Sequence, residues 1–351
     1  MLALVVAWLV EPDPAWAGAG EGARRGPDNP YHIVMVLWRG PTDVERGFED
    51  YLRENGVPYR LTVRNLGTDP GKAPAVVAEI KALRPDLVFT WGTSATLGVV
   101  GTYDAVDPSR HITDIPVIFT MVAYPTGARI APTQHSSGRN VTGTTFLAPI
   151  ATQMNAIASY RPFDRLGIIF NPKEENSLIN VNELRGMARE RGFTLIERPV
   201  PMNEAGKPDP SHLPELVRQV KEAGAQFLYV GPDSFTAVND DLLTRTAIER
   251  RLPIFAATER PLVNARAMMG LVSSYYPLGK LTGYMAERVL VDGVPPSRLE
   301  ITTLTRFSLI LRMKVALDLK FYPPLSVLKY AKVIDDGEDQ VINTLTHGQA
   351  K

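Results

Sequence analysis

Short apolar runs that empty at once into helix starts recur along this chain, and that recurrence restricts the fold more than any other feature. Leu87, Val88 and Phe89 form such a run behind the Arg84-Pro85-Asp86 break, and Gly92, Thr93 and Ser94 follow directly. That order reads as strand, tight turn and helix N-terminus. The same unit opens at 33–38, a continuous apolar run of the kind expected for a parallel strand buried on both faces. Thr42-Asp43 then begins a helix with Val44, Phe48, Tyr51 and Leu52 at helical spacing, and Asn55-Gly56 ends it. A strand at 59–64, a helix at 74–83 and a strand at 115–122 complete a first set.

After Gly138-Arg139-Asn140 and the segment VTGTTF the alternation restarts. Helices are predicted at 149–160, 177–191, 211–223 and 240–250, and strands at 166–170, 194–200, 227–230 and 253–256. A helix at 278–290, closed by Asp292-Gly293, and strands at 299–304 and 307–311 come next. Stacked strand–helix–strand units of this length predict parallel sheets, and two similar halves predict an α/β chain of two doubly wound lobes. The 351 residues suffice for two cores.

The first residues stand apart. Residues 2–10 are an apolar run, Pro12 and Pro14 interrupt it, and Ala15-Trp16-Ala17 puts small residues where a signal peptidase reads. A signal peptide over 1–17 and a flexible leader over 18–30 are expected, although no Lys or Arg precedes the run. Nine apolar residues are far short of the roughly 20 that span a bilayer. The absence of cysteine excludes disulfides, thiolate metal sites and a lipid-modified cysteine after the cut. An exported, unanchored periplasmic protein is the expectation. With 38 basic against 38 acidic residues, no strong field for nucleic acid or an anionic membrane is expected.

Catalytic constellations are missing. The five histidines do not sit at ligand spacing, and HExxH, a GxSxG elbow, a P-loop lysine and GxGxxG are absent, with WRGPTD after the first strand instead. Neither an enzyme nor a bound cofactor is expected. In open parallel sheets the ligand lies beyond the carboxyl ends of the strands, and this directs attention to the residues immediately after each strand. Thr93 and Ser94, with neighbouring backbone N–H groups, are placed to hold a carboxylate, or only to cap their helix. Across the cleft, Asn176, Ser177, Asp233 and Glu259 are candidates for the ligand's polar or cationic end, or are themselves caps and turns. Trp38, Tyr124 and Tyr275 are candidate apolar walls, or core aromatics.

The segments IPVIFTMVAYP, GRNVTG, NPKEENS, GPDS and YYPLGKLTGYMAERVLVDG occur in that order. Over about residues 31–334 the chain resembles the ABC-transporter substrate-binding protein family of the type I periplasmic-binding fold, in the branch that includes tryptophan and tyrosine binders. The resemblance implies two lobes with three crossings closing on a small solute. It assigns 31–143 plus 276–302 to an N-terminal lobe, 144–275 plus 303–334 to a C-terminal lobe, and 335–351 to a tail. It further implies delivery of the solute, an amino acid or related small carboxylate, by a monomer to an ABC permease with its ATPase. Tyr124 stands where relatives commonly carry an acidic residue before the proline. A ligand-sensing periplasmic protein that reports to a membrane receptor or sensor kinase is the alternative that export and fold allow equally.

Overall fold

The computed structural model describes residues 25–334. The expected signal peptide, the leader as far as residue 24 and the tail from 335 lie outside the described residues. The leader's last residues are anchored at Arg25, whose guanidinium makes a two-pronged ion pair with Asp86 at 2.7 and 2.8 Å and lies over the Tyr31 ring.

The first lobe begins with β1 (Tyr31–Leu37), α1 (Asp43–Glu54), β2 (Tyr59–Asn65) and α2 (Ala73–Leu83). It continues with β3 (Leu87–Trp91), α3 (Thr93–Val100), β4 (Val117–Thr120) and β5 (Val141–Thr145). The second lobe runs from α4 (Ile150–Tyr160) through β6 (Arg165–Phe170), α5 (Glu175–Arg191), β7 (Thr194–Pro199), α6 (Leu213–Glu222) and β8 (Phe227–Val230). Next in this lobe are α7 (Ser234–Val238), α8 (Asp240–Glu249), β9 (Ile254–Ala256), α9 (Arg260–Val263) and β10 (Met269–Val272). The chain returns with α10 (Tyr275–Leu290) and β11 (Thr302–Thr303), then leaves again for β12 (Ser308–Arg312), α11 (Met313–Asp318), α12 (Leu325–Leu328) and β13 (Lys332–Ile334).

Two sheets result, in the orders β11-β5-β4-β3-β1-β2 and β13-β12-β10-β9-β8-β6-β7. Every pairing is parallel except β10 with β12. The α/β architecture of two doubly wound lobes therefore matches the periodicity. Strands β1, β3 and β4 are buried along their whole length, which is why they read as unbroken apolar runs.

The boundaries differ in instructive places. Thr144 and Thr145 still pair with Thr302 and Thr303 in the first sheet, so the first crossing comes after β5 instead of between 143 and 144. The strand expected over 299–304 shrinks to Thr302–Thr303 because a turn at Pro296–Arg298 precedes it. Strand β10 was hidden by Gly270, where a Cβ would collide with the Ala256 carbonyl of β9. The crossings lie close together, and Leu147 of the first makes a bridge to Val272 at the start of the second.

Helix α10 returns to the first lobe because its small residues fit α1. A Cβ on Gly279 would collide with the Val44 carbonyl, and one on Gly47 with the Tyr276 carbonyl. Beneath this contact Thr144 Oγ1 lies 3.0 Å from both Thr120 Oγ1 and Thr282 Oγ1, a buried hydroxyl cluster that ties α10 to β4 and β5.

Candidate functional site

In each sheet the chain winds one way from the first strand and the other way from the third: β2 and β3 flank β1, and β7 and β8 flank β6. Such a switch point opens a crevice at the strand ends. In the first lobe this crevice receives Trp38 and Arg39 after β1 and Gly92-Thr93 after β3. In the second it receives Asn171 to Asn176 after β6 and Pro232 to Ser234 after β8. The two crevices face each other. Between them is a small cavity of about 30 Å³, bordered by Trp38, Arg39, Trp91, Thr93, Phe146, Glu174, Asn176, Asp233, Thr258 and Tyr275. That is space for a water or so. It adjoins a cleft of about 1070 Å³ between α2, α3 and the loop at Ser109–His111 on one side, and Lys173, Lys207, Phe235 and Val238 on the other. Trp38, Glu174 and Ser234 border both spaces.

The chemistry is concentrated around the small cavity, although the cleft is far larger. Buried polar groups are normally paired, and each exception calls for a reason. Here Trp38 Nε1, Arg39 Nε and Nη1, Thr93 Oγ1, Asn176 Oδ1 and Tyr275 Oη are buried without a hydrogen-bond partner among the described residues. The Arg39 guanidinium lies 4.8 Å from the Trp91 ring centroid, while Trp91 Nε1 donates to Thr42 Oγ1 at 3.2 Å. Burial raises the pKa of the Tyr275 phenol. Arg39 opposes that rise from close by without forming a well-aligned hydrogen bond to it.

Helix α3 explains why Thr93 is left over. Its N-cap is Gly92, at a φ of 87° that favours glycine, and no side chain caps the turn. Thr96 Oγ1 instead bonds back to the Gly92 carbonyl at 2.8 Å. The expectation that Thr93 and Ser94 act together is therefore divided: Thr93 borders the small cavity and Ser94 the large cleft.

The second lobe's candidates divide further. Asp233 borders the small cavity, yet its carboxylate is engaged within the protein, accepting from Asn171 N at 2.6 Å, Ser177 Oγ at 2.7 Å and Thr236 N at 2.8 Å. It caps α7 and fastens that helix to the start of α5. It is therefore not the free acceptor for a cationic group that the sequence suggested, and Ser177 is consumed in the same bond. Asn176 donates to the Pro232 carbonyl, which leaves its Oδ1 buried without a partner beside the cavity. Glu259 borders neither space. It accepts from the Tyr275 backbone N–H at 2.8 Å and so satisfies the start of α10. Tyr124 is not a wall of either cavity: its hydroxyl accepts from Asn180 Nδ2 at 2.7 Å, across the gap between lobes.

Sequence reasoning missed Arg39, Trp91 and Glu174 as site residues. Arg39 stands directly after β1 and Glu174 lies inside NPKEENS, so position was the available signal. Glu174 accepts from Ser234 N at 2.8 Å and Ser234 Oγ at 2.6 Å. Its carboxyl is pushed up to about 7, first by burial and then by the neighbouring Asp233 charge. Among the described residues no His, Cys, Asp and Glu group is arranged to hold a metal ion, and no helix is long and apolar enough to cross a membrane.

Known proteins resemble this chain in sequence and in fold. The "Tyrosine-binding protein" of Clostridioides difficile strain R20291 is 24% identical over 271 residues, covering 76% of this chain and 72% of that protein. A structure described as an ABC domain in complex with L-Trp from Streptococcus pneumonia superimposes with a TM-score of 0.73 at 24% identity, over 86% of this chain and 100% of that one. A conserved domain protein from Vibrio cholerae gives 0.76 at 20% identity, over 87% and 99%. A ligand-free, open substrate binding protein from Clostridium difficile gives 0.63 at 21%, over 87% and 99%. These solved structures share the type I periplasmic-binding fold. Residues 33–334 match the family described as ABC transporter substrate binding protein, and the chain belongs to that family.

Proposed function

We propose that this substrate-binding protein captures a small carboxylate-bearing solute, an amino acid or a related acid, between its lobes and hands it to the permease of an ABC importer. Export to the periplasm, with the signal peptide cut after Ala17, belongs to the same reading and rests on the Ala15-Trp16-Ala17 pattern. The observation that carries the proposal is the set of partnerless buried groups around the small cavity, Trp38, Arg39, Thr93 and Asn176 at the two facing switch points and Tyr275 at the start of α10. Concave sites of this kind combine aromatic walls with a few orienting polar groups. The tyrosine and tryptophan named for the relatives support a small carboxylate over a sugar.

Thermal denaturation of the purified protein against a panel of amino acids and small organic acids tests the reading. A true ligand at a hundredfold excess over its Kd stabilises by about 2.7 kcal/mol. A panel in which every acid leaves the melting temperature unchanged, while a neutral sugar raises it, would overturn the proposal.

A further inference from the structure

We infer that the solute is an aromatic carboxylate without an α-ammonium group, held through its carboxylate by Arg39. This deepens the small-carboxylate reading and rests on it. The argument is the sign of the groups that the cavity leaves unsatisfied. Trp38 Nε1 and Arg39 Nε and Nη1 can only donate, the Thr93 and Tyr275 hydroxyls can donate or accept, and Asn176 Oδ1 alone can only accept. Asn176 cannot reverse that count by flipping, since its amide nitrogen is the atom that meets the Pro232 carbonyl. A set so rich in donors fits a ligand rich in acceptors.

An ammonium buried here would need a carboxylate, and the two that border the small cavity already accept donors from their own lobe. Asp233 holds three donors from its own lobe, and Glu174 holds both the backbone and hydroxyl donors of Ser234. Glu259 serves the Tyr275 N–H, and Asp240 pairs with Arg260 at 3.0 Å. Arg39 Nε and Nη1 have no hydrogen-bond partner among the described residues, with the Glu45 and Asp240 charges acting on the guanidinium only from beyond hydrogen-bond reach, and its planar fork matches a carboxylate. The Trp91 ring beneath the guanidinium and the Trp38, Phe146 and Tyr275 rings around the cavity favour an aromatic body over an inorganic anion. The mouth carries a small excess of the same sign: Lys81, Arg110, Lys173 and Lys207 line the cleft against Asp69, Glu174 and Glu175.

Isothermal titration of the full protein with matched pairs decides it: L-phenylalanine against 3-phenylpropanoate, L-tyrosine against 3-(4-hydroxyphenyl)propanoate, and L-tryptophan against indole-3-propanoate. At least one propanoate is expected to bind about tenfold or more tightly than its amino acid. Arg39→Gln should weaken that propanoate by about ten- to a hundredfold, with part of the loss recovered in Arg39→Lys. If an amino acid binds as tightly as its deaminated partner, or tighter, the inference falls and the small-carboxylate reading stands. If a propanoate binds and a folded Arg39→Gln takes it up like the parent, Arg39 is not the anchor. If neither member of any pair binds and the acid panel is also silent, both readings fall together. The comparison of pairs on the parent protein requires no variant to fold.

Discussion

The Ser177 hydroxyl donates to Asp233 Oδ2 at 2.7 Å, joining the first turn of α5 to the N-cap of α7 inside the second lobe. The same oxygen accepts from the Asn171 N–H, and Oδ1 accepts from Thr236. Asp233 therefore fixes the geometry of both loops that carry the second lobe's share of the cavity. Asp233→Ala leaves three donors in a buried place, each worth about 1–3 kcal/mol of desolvation. A loss of about 3 kcal/mol or more, and a melting temperature lower by roughly 10 °C, is expected for a lobe of this size. Circular dichroism melts check this, and a variant melting within about 2 °C of the parent would contradict it.

Glu174 makes stability depend on pH. Its carboxyl is raised from an ordinary 4.5 to about 7 by burial and then by Asp233. Between those values the folded protein keeps a proton that the unfolded chain has released. Stability consequently falls as pH rises from about 4.5 to about 7 and levels off above that. Glu45, raised to about 7 by burial in the Thr42 capping box, adds a slope of the same sign. Glu174→Gln should flatten the fall without abolishing it. Urea denaturation at pH 5 and pH 7.5 compares the two proteins, and equal slopes would remove Glu174 from the account.

Close approach of α1 and α10 supplies a third prediction. Gly279→Ala drives a methyl group into the Val44 carbonyl, backbone that cannot turn aside as a side chain would. Overpacking of this kind costs about 1–3 kcal/mol. Because α10 comes directly after the second crossing, the variant should also loosen the hinge: faster amide exchange is expected in α10 than in α5, and uniform protection across both would argue against this.

The strands were legible because parallel strands buried on both faces leave unbroken apolar runs, as in Ile33 to Leu37 and Leu87 to Phe89. Met269–Val272 was not, because the glycine that lets β10 lie against β9 looks from the sequence like a break. The cavity-facing positions Trp38, Thr93 and Asn176 were legible for a topological reason: the loop after each strand of a doubly wound sheet faces the crevice. Which of those side chains remain free was not legible. Ser177 and Asp233 satisfy each other from 56 positions apart, while Arg39, an ordinary residue in a loop, keeps two guanidinium nitrogens buried without a hydrogen-bond partner among the described residues.

Closure of the lobes should respond to Tyr124 and Asn180. Asn180 Nδ2 donates to Tyr124 Oη at 2.7 Å across the gap and also to Tyr229 Oη at 3.3 Å, and Tyr229 in turn donates to Gln153 at 2.8 Å. Opening about the crossings breaks the first of these bonds and leaves the others. Tyr124→Phe therefore shifts the unliganded protein toward the open form by about 0.5–1.5 kcal/mol. Small-angle scattering should show a larger radius of gyration for the free variant than for the free parent. If the two radii agree, and neither contracts on saturation with a confirmed ligand, the lobes do not hinge.

Thr93 separates a ligand role from a structural one by the sign of two effects. Its hydroxyl is buried, caps nothing and has no partner among the described residues, so the free protein bears the cost of an unsatisfied group. Thr93→Val keeps the shape and removes that group. The free variant should be as stable as the parent or more stable by about 1 kcal/mol. If the hydroxyl binds solute, affinity should fall by about two- to tenfold, one hydrogen bond's worth. A capping threonine would do the reverse, losing stability by about 1 kcal/mol on substitution and leaving affinity alone. Chemical denaturation of the free protein and titration with the ligand found in the acid panel read the two signs separately, and a destabilised variant with unchanged affinity would return Thr93 to the scaffold.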